Sequence, residues 1–271
     1  YKRFGMTQAL RELEGASAGS DAVAPAASGS SRRGASFITA PAAESETPDA
    51  ELSAPGRYTA VTTDEQFEGL LASLRAADSF AFDTETDALD AMRANLVGLS
   101  FSTVPGEAWY LPVGHTYPGV PQQLDRARAL AALAPLFADP DKKKIGQHGK
   151  YDLHVLRRHG VHVAGYAEDT MLESFVLDSG RTRHDMDSLA TRYLGYQTVK
   201  YEDVAGKGSK QISFAQVAIE DATRYAAEDA DVTLRLHRVF APKVAAEPGL
   251  ERVYREIEIP LVPVLERVES N

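Results

Sequence analysis

Residues 79–85, Ser-Phe-Ala-Phe-Asp-Thr-Glu, decide the fold and the chemistry of this 271-residue chain. Side chains on a β-strand alternate between two faces, so the two phenylalanines and Thr84 point one way, whereas Asp83 and Glu85 share the other face with Ala81. Two carboxylates roughly 5–6 Å apart repel each other by about 3 kcal/mol at an effective dielectric constant of about 20. A proton or a cation can offset this repulsion. For a strand otherwise built for burial, a pair of divalent metal ions is the more productive solution. The strand therefore predicts a metal site that needs further oxygen ligands from elsewhere in the chain.

Composition limits the classes of protein that the chain can belong to. Its formal net charge of −10 argues against broad electrostatic capture of nucleic acid, although two divalent ions would supply positive charge where a phosphate must sit. The absence of cysteine from the sequence excludes disulfides and thiolate zinc sites. No apolar run reaches the ~20 residues of a membrane span, and no signal-peptide pattern is present. We expect a monomeric cytoplasmic protein, associated with the nucleoid and not with a membrane.

The N-terminal part of the chain differs from the rest in composition. Residues 15–56 are dominated by Ala, Ser, Gly and Pro, and they cannot bury enough apolar surface to fold. We expect this segment to be a disordered, flexible linker. We interpret residues 1–14 as the end of a helix-containing region upstream of the linker. The folded domain is expected to begin at residue 57.

The hydrophobic pattern of the folded part predicts strands first and helices afterwards. Three closely spaced strand-like runs at 79–85, 95–103 and 108–113 predict an antiparallel meander. The other predicted elements are an extended segment at 58–62, helices at 63–76 and 124–137, a strand at 144–147 and an almost entirely helical remainder, with a stop at Gly160 and a capping box at 213–216. This order predicts an α/β fold, with a mixed sheet flanked by helices.

Two later segments carry carboxylates that can complete a metal site. Asp152 lies in the first turn of the helix that follows the 144–147 strand, where a solvated acid near the helix N-terminus is the ordinary interpretation. Tyr225 and Asp229 are four residues apart on the long helix, so they share one face, whereas Glu228 and Asp231 are turned away by ~100° and ~200°. Each feature alone is ordinary, and only their combination with the first pair of acids indicates a site.

The three acidic segments, in this order and spacing, resemble the motifs of the Asp-Glu-Asp-Asp exonucleases whose third motif carries a tyrosine. Further segments are similar to the proofreading domain of bacterial DNA polymerase I: Phe-Asp-Thr-Glu-Thr-Asp at 82–87, Asn-Leu-Val-Gly-Leu-Ser-Phe at 95–101, Arg-His-Asp-Met-Asp-Ser-Leu-Ala at 183–190 and Tyr-Ala-Ala-Glu-Asp-Ala-Asp-Val-Thr-Leu at 225–234. The resemblance covers about residues 57–271. It implies a ribonuclease H-like fold with a 3′-5′ exonuclease domain at 57–250, the start of a polymerase domain at 251–271 and a remnant of an upstream 5′ nuclease-like domain at 1–14.

The same resemblance implies the chemistry of the site. The family hydrolyses the terminal phosphodiester of a DNA 3′ end with two divalent ions, Mg²⁺ or Mn²⁺, and releases nucleoside 5′-monophosphates. By position, Asp83, Glu85 and Asp229 would bind the first ion, and Asp83 would bridge to a second ion held by Asp152. Tyr225 and Glu85 would orient the attacking water.

Contacts to a single-stranded or frayed DNA 3′ end also follow from the resemblance. The matching positions are Leu89 as an apolar wedge, Tyr201 stacking on a base, Gln147 and Tyr151 near the DNA backbone, and Arg183 on a phosphate. His148 stands where the family usually carries Asn, and its ring can still donate a hydrogen bond to a terminal nucleotide. The glycine-rich segment at 205–210 lacks the spacing of a phosphate-binding loop, and we expect a loop beside the substrate path.

Two alternatives remain open from the sequence. One is a catalytically silent domain that only supports the polymerase domain of the same parent chain, and the other is a ribonuclease D-like exonuclease that acts on RNA. The presence of all four acids and Tyr225 favours an active enzyme, and the segments around Arg183 and after residue 256 favour the polymerase family over ribonuclease D.

Overall fold

The computed structural model describes residues 50–180 and 183–270, all of which belong to one compact unit. The predicted remnant at 1–14 and the predicted linker up to residue 49 lie outside the described residues. The strands are β1 (Arg57–Ala60), β2 (Ser79–Thr86), β3 (Leu96–Val104), β4 (Glu107–Pro112), β5 (Lys143–Gly146) and β6 (Tyr166–Asp169). The helices are α1 (Ala50–Ser53), α2 (Asp64–Ala76), α3 (Arg126–Ala138), α4 (Lys150–Arg158), α5 (Thr170–Asp178), α6 (Met186–Leu189), α7 (Tyr201–Ala205), α8 (Ile219–Ala246), α9 (Pro248–Val253) and α10 (Ile259–Glu269).

The strands form one mixed six-stranded sheet in the order β1-β4-β3-β2-β5-β6. Strands β2, β3 and β4 are the predicted antiparallel meander, and β1, β5 and β6 join it through parallel pairs. The prediction of a mixed sheet flanked by helices is confirmed. Strand β2 lies inside the sheet, between β3 and β5, so both of its edges are paired with neighbouring strands.

One face of β2 is aromatic. Phe80 and Phe82 contact Phe137 of α3 edge-to-face, with ring centroids 5.7 and 5.2 Å apart. Such aromatic pairs add about 0.5–1.5 kcal/mol each beyond the burial of their area. The apolar residues of α2 that follow the helical spacing are also buried in this layer. This packing fixes the orientation of β2 and directs the acidic side chains to the other face.

The other face of the sheet is covered by α8, a helix of 28 residues that packs across β1 to β4. Ala226, Ala227 and Ala230 are fully buried along its inner side. Because alanine has a small side chain, these residues allow the helix to come close to the sheet. The close approach brings Tyr225 and Asp229 toward the acidic face of β2.

Two local predictions after residue 147 are wrong. The chain forms β6 at Tyr166–Asp169 where a helical remainder was predicted, because this short strand pairs only with β5 and has no apolar alternation to mark it. The predicted capping box at 213–216 is a 3₁₀ turn with no side-chain cap. The chain does contain a capping box, between Thr63 and Gln66 at the start of α2.

The C-terminal segment packs onto the same unit as the preceding residues. The helices after residue 250 contact α4 and β6, and the buried Tyr254 hydroxyl accepts a hydrogen bond from the Asp169 amide and donates one to Glu168. Residue 250, the predicted domain boundary, lies within this compact unit.

The predicted linker also extends into the described region. Its last part forms the short helix α1, and the buried Arg235 side chain donates hydrogen bonds to the carbonyls of Leu52 and Ala54. Among the helices that the structure describes, none combines the length and apolar character needed to cross a bilayer.

Candidate active site

Three of the predicted site residues converge on one point between the sheet and α8. Asp83, Glu85 and Asp229 each offer a carboxylate oxygen, and these three oxygens lie within 4.8 Å of one another. The first two come from β2 because alternate residues of a strand share a face, and the third comes from the inner side of α8.

Asp152 lies on α4, the helix that follows β5, and its carboxylate is close to that of Asp83. Its side chain is only 3% exposed, and its carboxylate accepts hydrogen bonds from the Thr84 amide at 3.0 Å and from the Thr84 hydroxyl. Burial raises the pKa of the Asp152 carboxyl well above its ordinary value, and the negative charge of Asp83 raises it further. The ordinary interpretation of Asp152 as a solvated acid is therefore wrong. The four carboxylates of Asp83, Glu85, Asp152 and Asp229 are called the Asp83 cluster below.

The Asp83 cluster carries more negative charge than its surroundings compensate. Burial raises the pKa of Asp83 and of Glu85 well above ordinary values, and neighbouring carboxylates raise both further. Burial and then the charge of Glu228 raise the pKa of Asp229 in the same way. Within residues 50–180 and 183–270, no Lys, Arg or His forms an ion pair with the cluster. In the same residue ranges, one buried oxygen of Glu85, Oε1, has no hydrogen-bond partner. An all-oxygen, uncompensated set of this kind suits a hard divalent cation.

Tyr225 lies beside the cluster on α8, one helical turn before Asp229. Its hydroxyl is close enough to the Asp229 carboxylate for the negative charge of that group to act on it. The negative charge of Asp229 and then burial raise the pKa of the Tyr225 hydroxyl well above its ordinary value. The hydroxyl therefore keeps its proton at neutral pH and is available as a hydrogen-bond donor.

A cleft of about 630 Å³ opens next to the cluster and includes three of the predicted DNA-contact residues in its lining. Leu89 projects from the rim with 91% of its surface exposed. The Tyr201 ring stacks on Phe214 and meets Tyr225 edge-on, with centroid distances of 6.1 and 6.0 Å. The Tyr151 hydroxyl donates to the Ala88 carbonyl at 2.8 Å.

The other three predicted DNA-contact residues do not line this cleft. The Gln147 amide donates to the His184 carbonyl at 2.9 Å, and Arg183 pairs with Asp185 at 2.8 Å. His148 is exposed at the β5–α4 junction and adopts a left-handed backbone conformation with φ of 60°. Histidine is one of the few residues besides glycine that are enriched in this conformation.

Sequence reasoning missed two contributors to the site. Thr84 was assigned to the aromatic face by alternation, yet its hydroxyl and amide hold Asp152. The only local signal for this role of Thr84 was its position between two acids. That position does not show which residue from another part of the chain contacts Thr84. Gln211, in the loop after the glycine-rich segment, lines the cleft together with Gly208, so the loop expected beside the substrate path lies at this cleft.

A second acidic group lies away from the cleft. Glu168 on β6, Glu173 on α5 and His237 on α8 also offer ligand atoms within 4.8 Å of one another, and they are called the Glu168 cluster below. Here Arg255 pairs with Glu168 at 2.8 Å, and the His237 ring contacts Glu173 at 2.7 Å. Burial raises the pKa of Glu173 to about 7. Arg255 balances the charge of Glu168, and the His237 ring is hydrogen-bonded to one oxygen of Glu173, while the other oxygen, Oε2, has no hydrogen-bond partner among the described residues. This pairing resembles a structural ion-pair network.

Comparison with known proteins agrees with the site. A family model described as 3′-5′ exonuclease matches residues 58–245. The DNA polymerase I of Pseudomonas aeruginosa is 54% identical over 230 residues, which cover 84% of this chain and 25% of that protein. The DNA polymerase I of Rhizobium leguminosarum is 42% identical over 219 residues, covering 74% of this chain and 21% of that protein. The chain thus spans about a quarter of the length of these curated relatives.

Solved structures share the fold at lower identity. NrnC of Brucella melitensis superimposes with a TM-score of 0.58 at 20% identity, covering 79% of this chain and 93% of that one. The POL domain of Pol1 from M. smegmatis gives a TM-score of 0.59 at 20% identity, covering 78% of this chain and 31% of that one. These likenesses confirm the predicted ribonuclease H-like architecture.

Proposed function

The chain belongs to the 3′-5′ exonuclease family, and from this premise we propose that it hydrolyses the terminal phosphodiester of a DNA 3′ end as the proofreading module of a bacterial DNA polymerase I. The products are nucleoside 5′-monophosphates. The observation that carries the proposal is the convergence of four carboxylates from β2, α4 and α8, without a pairing cation among the described residues and with Tyr225 beside them. Glu85 and Asp152 are buried, and Asp83 and Asp229 are half-buried.

The residues of the Asp83 cluster fit two divalent ions, Mg²⁺ or Mn²⁺. Asp83, Glu85 and Asp229 would hold one ion, and Asp83 together with Asp152 would hold the other. Bound in this way, such ions supply hydroxide near neutral pH and stabilise the leaving 3′ oxygen. The chain contributes orientation, because the protonated Tyr225 hydroxyl and the Glu85 carboxylate direct the attacking water.

The proposed grip on the strand does not depend on base sequence. Tyr201 offers an aromatic face for base stacking, a contact that every base can make. Leu89 is exposed at the cleft rim, as a wedge between the terminal bases requires. Tyr151 and Gln147 lie near the DNA backbone in this proposal. Arg183 contacts a phosphate, and His148 donates a hydrogen bond to the terminal nucleotide.

The proposed context is a longer polymerase chain in the cytoplasm, at the nucleoid, acting in DNA replication and repair as a monomer. In this proposal residues 57–250 are the exonuclease domain and 251–271 begin the polymerase domain. Residues 15–56 connect the exonuclease domain to an upstream 5′ nuclease-like domain that ends with residues 1–14. An exposed apolar stripe on the last helical segment supports a polymerase domain of the same chain as partner. Its members are Val253, Ile257, Leu261, Val264, Leu265 and Val268.

The proposal is tested with a 5′-labelled single-stranded DNA incubated with the chain and Mg²⁺ or Mn²⁺, with and without a chelator. We expect a ladder that shortens from the 3′ end and disappears with the chelator. A labelled RNA of the same sequence is the matched substrate. Preferential degradation of the RNA would favour a ribonuclease D-like activity, and no ladder with either metal would leave only a scaffolding role.

A further inference from the structure

Two residues with hydroxyl groups, Ser100 on β3 and Tyr110 on β4, lie next to the acidic residues of β2 in the sheet. Ser100 on β3 is directly opposite Asp83, and Gly98 is directly opposite Glu85. Opposite residues of an antiparallel pair share a face of the sheet, with Cβ atoms roughly 4.5–5.5 Å apart. Ser100 therefore borders the Asp83 cluster from the neighbouring strand.

Tyr110 on β4 completes this layer. It is opposite Ser100, and its hydroxyl fills the space that a side chain at Gly98 would occupy, since a Cβ added there would overlap it. The tyrosine is fully buried, and its hydroxyl is paired with His115 Nε2 at 2.7 Å. Since Gly98 is opposite Glu85, the Tyr110 hydroxyl occupies the position next to this carboxylate on the neighbouring strand.

Within the part of the chain that the structure describes, two polar atoms of the Ser100 and Glu85 side chains have no hydrogen-bond partner. Ser100 Oγ and Glu85 Oε1 are both buried and unpaired. Buried polar groups are nearly always paired, so an orphan hydroxyl that faces a group of carboxylates requires an explanation. A serine hydroxyl rotates freely and can donate to a carboxylate as soon as that carboxylate is held in place.

We propose that the Ser100 and Tyr110 hydroxyls are positioning groups that orient the Asp83 and Glu85 carboxylates for divalent metal binding. This inference rests on the proposed function, because it assigns the support of the same metal site. Groups that hydrogen-bond to metal ligands fix the ligand orientation, and their loss typically weakens metal binding by roughly 10- to 100-fold.

The sequence offers a matched control on the same strand. Ser102 lies on the same face two residues further on, opposite Ala81 rather than an acid, and it is equally buried. Its hydroxyl donates to the Glu107 carbonyl at 2.8 Å, and the Val104 carbonyl is a second acceptor within reach at 3.2 Å. A structural role and a positioning role therefore predict opposite outcomes for Ser100 and Ser102.

The experiment titrates Mn²⁺ into the chelator-treated 271-residue chain by calorimetry and follows thermal unfolding of the metal-free form. We expect Ser100→Ala and Tyr110→Phe to weaken Mn²⁺ binding by roughly 10-fold, the lower end of such effects. Metal-free Ser100→Ala should unfold at the parent's temperature or above it, because its hydroxyl has no partner to lose. Ser102→Ala should unfold earlier and yet bind Mn²⁺ as the parent does.

The possible outcomes separate this inference from the proposed function. If the parent binds Mn²⁺ and degrades DNA while Ser100→Ala and Tyr110→Phe bind Mn²⁺ unchanged, the positioning role is overturned and the exonuclease remains. If Mn²⁺ binding falls equally in Ser100→Ala and Ser102→Ala, the effect is general to the strand and the inference is also overturned. A parent chain that binds no Mn²⁺ overturns both.

Discussion

The Asp83 cluster and the Glu168 cluster are built alike and differ in how their charge is balanced. Each combines residues of a strand, another helix and α8, and each has a tyrosine next to a carboxylate. Arg255 and His237 pair with the carboxylates of the Glu168 cluster. Within the described residues no cation pairs with the Asp83 cluster. The comparison teaches that proximity of acids is not enough to identify a metal site, because the missing charge compensation is what separates the two.

The energetic reason follows from burial. Carboxylates removed from water are costly unless a cation or hydrogen bonds offset the loss of hydration. The chain provides that offset at the Glu168 cluster, so this cluster ties β6, α5 and α8 together. At the Asp83 cluster the free-energy cost of lost hydration is not offset by a cation among the described residues, and a metal ion that binds there would offset it. The following predictions test this division, from the largest effect to the smallest.

The largest effect is expected from removing one acid of each cluster. Asp229→Asn should lower exonuclease activity by at least about 10³-fold, more than the loss of a single preorganised donor, because it removes a metal ligand. Glu173→Gln should leave activity within a few-fold of the parent, since this residue is far from the cleft. Rates on labelled DNA check both, and circular dichroism checks folding. A fully active Asp229→Asn would exclude the metal assignment.

Each cluster also has one tyrosine whose hydroxyl can be deleted. Tyr225→Phe should slow hydrolysis by roughly 10²-fold, as expected for one orienting group, while Mn²⁺ affinity stays nearly unchanged because no metal ligand is lost. Tyr254→Phe should leave the rate unchanged and lower the unfolding temperature, because its hydroxyl bonds Glu168 and the Asp169 amide. If both variants changed the hydrolysis rate, or both changed only the unfolding temperature, the distinction between the two clusters would be wrong.

Removing the compensating cation should make the Glu168 cluster unstable. Arg255→Met leaves Glu168, which is almost fully buried, without its charged partner. Breaking a fully buried pair costs about 3–5 kcal/mol, and the partial exposure of Arg255 reduces the expected loss of unfolding free energy to about 2 kcal/mol. Urea denaturation measures it. Unchanged stability would show that Arg255 does not balance the cluster.

The smallest effect is expected in the pH dependence of stability. The carboxyls of the Asp83 cluster have pKa values raised above 3.8 for Asp and 4.5 for Glu, so the folded, metal-free chain binds more protons than the unfolded one. Its stability is therefore highest below these values and falls as pH rises, by on the order of 1 kcal/mol per unit of raised pKa. Mg²⁺ should reduce this fall.

The Glu168 cluster supplies the internal reference for this measurement. Glu173 also has a raised pKa, of about 7, so its contribution to stability is lost as pH rises through that value. Because this cluster is expected to hold no metal, Mg²⁺ should not change that part of the curve. Unfolding temperatures across the pH range, with and without Mg²⁺, separate the two. Identical curves would argue that the Asp83 cluster binds no metal.

Local periodicity predicted much of the fold and of the site. Strict alternation in β2 placed Asp83 and Glu85 together, and the four-residue spacing on α8 placed Tyr225 beside Asp229. These predictions depend on geometry within one element, which the sequence specifies. Strand β6 was missed because its pairing with β5 alone defines it. The burial of Asp152 was missed because Thr84, 68 residues away in sequence, provides its hydrogen bonds.

The segment Tyr225–Asp231 shows which properties of a site can be inferred from the sequence alone and which cannot. The sequence alone determined that three acids project from α8 in different directions, because successive residues turn by ~100° about a helix axis. These acids are Glu228, Asp229 and Asp231. Only the tertiary structure decided their roles. Glu228 accepts hydrogen bonds from the Tyr196 hydroxyl and the Val199 amide, and Asp231 pairs with Arg235. Asp229 instead meets two further acids on β2. The direction of a side chain is a local property, whereas the charge that it meets comes from residues far away in the chain.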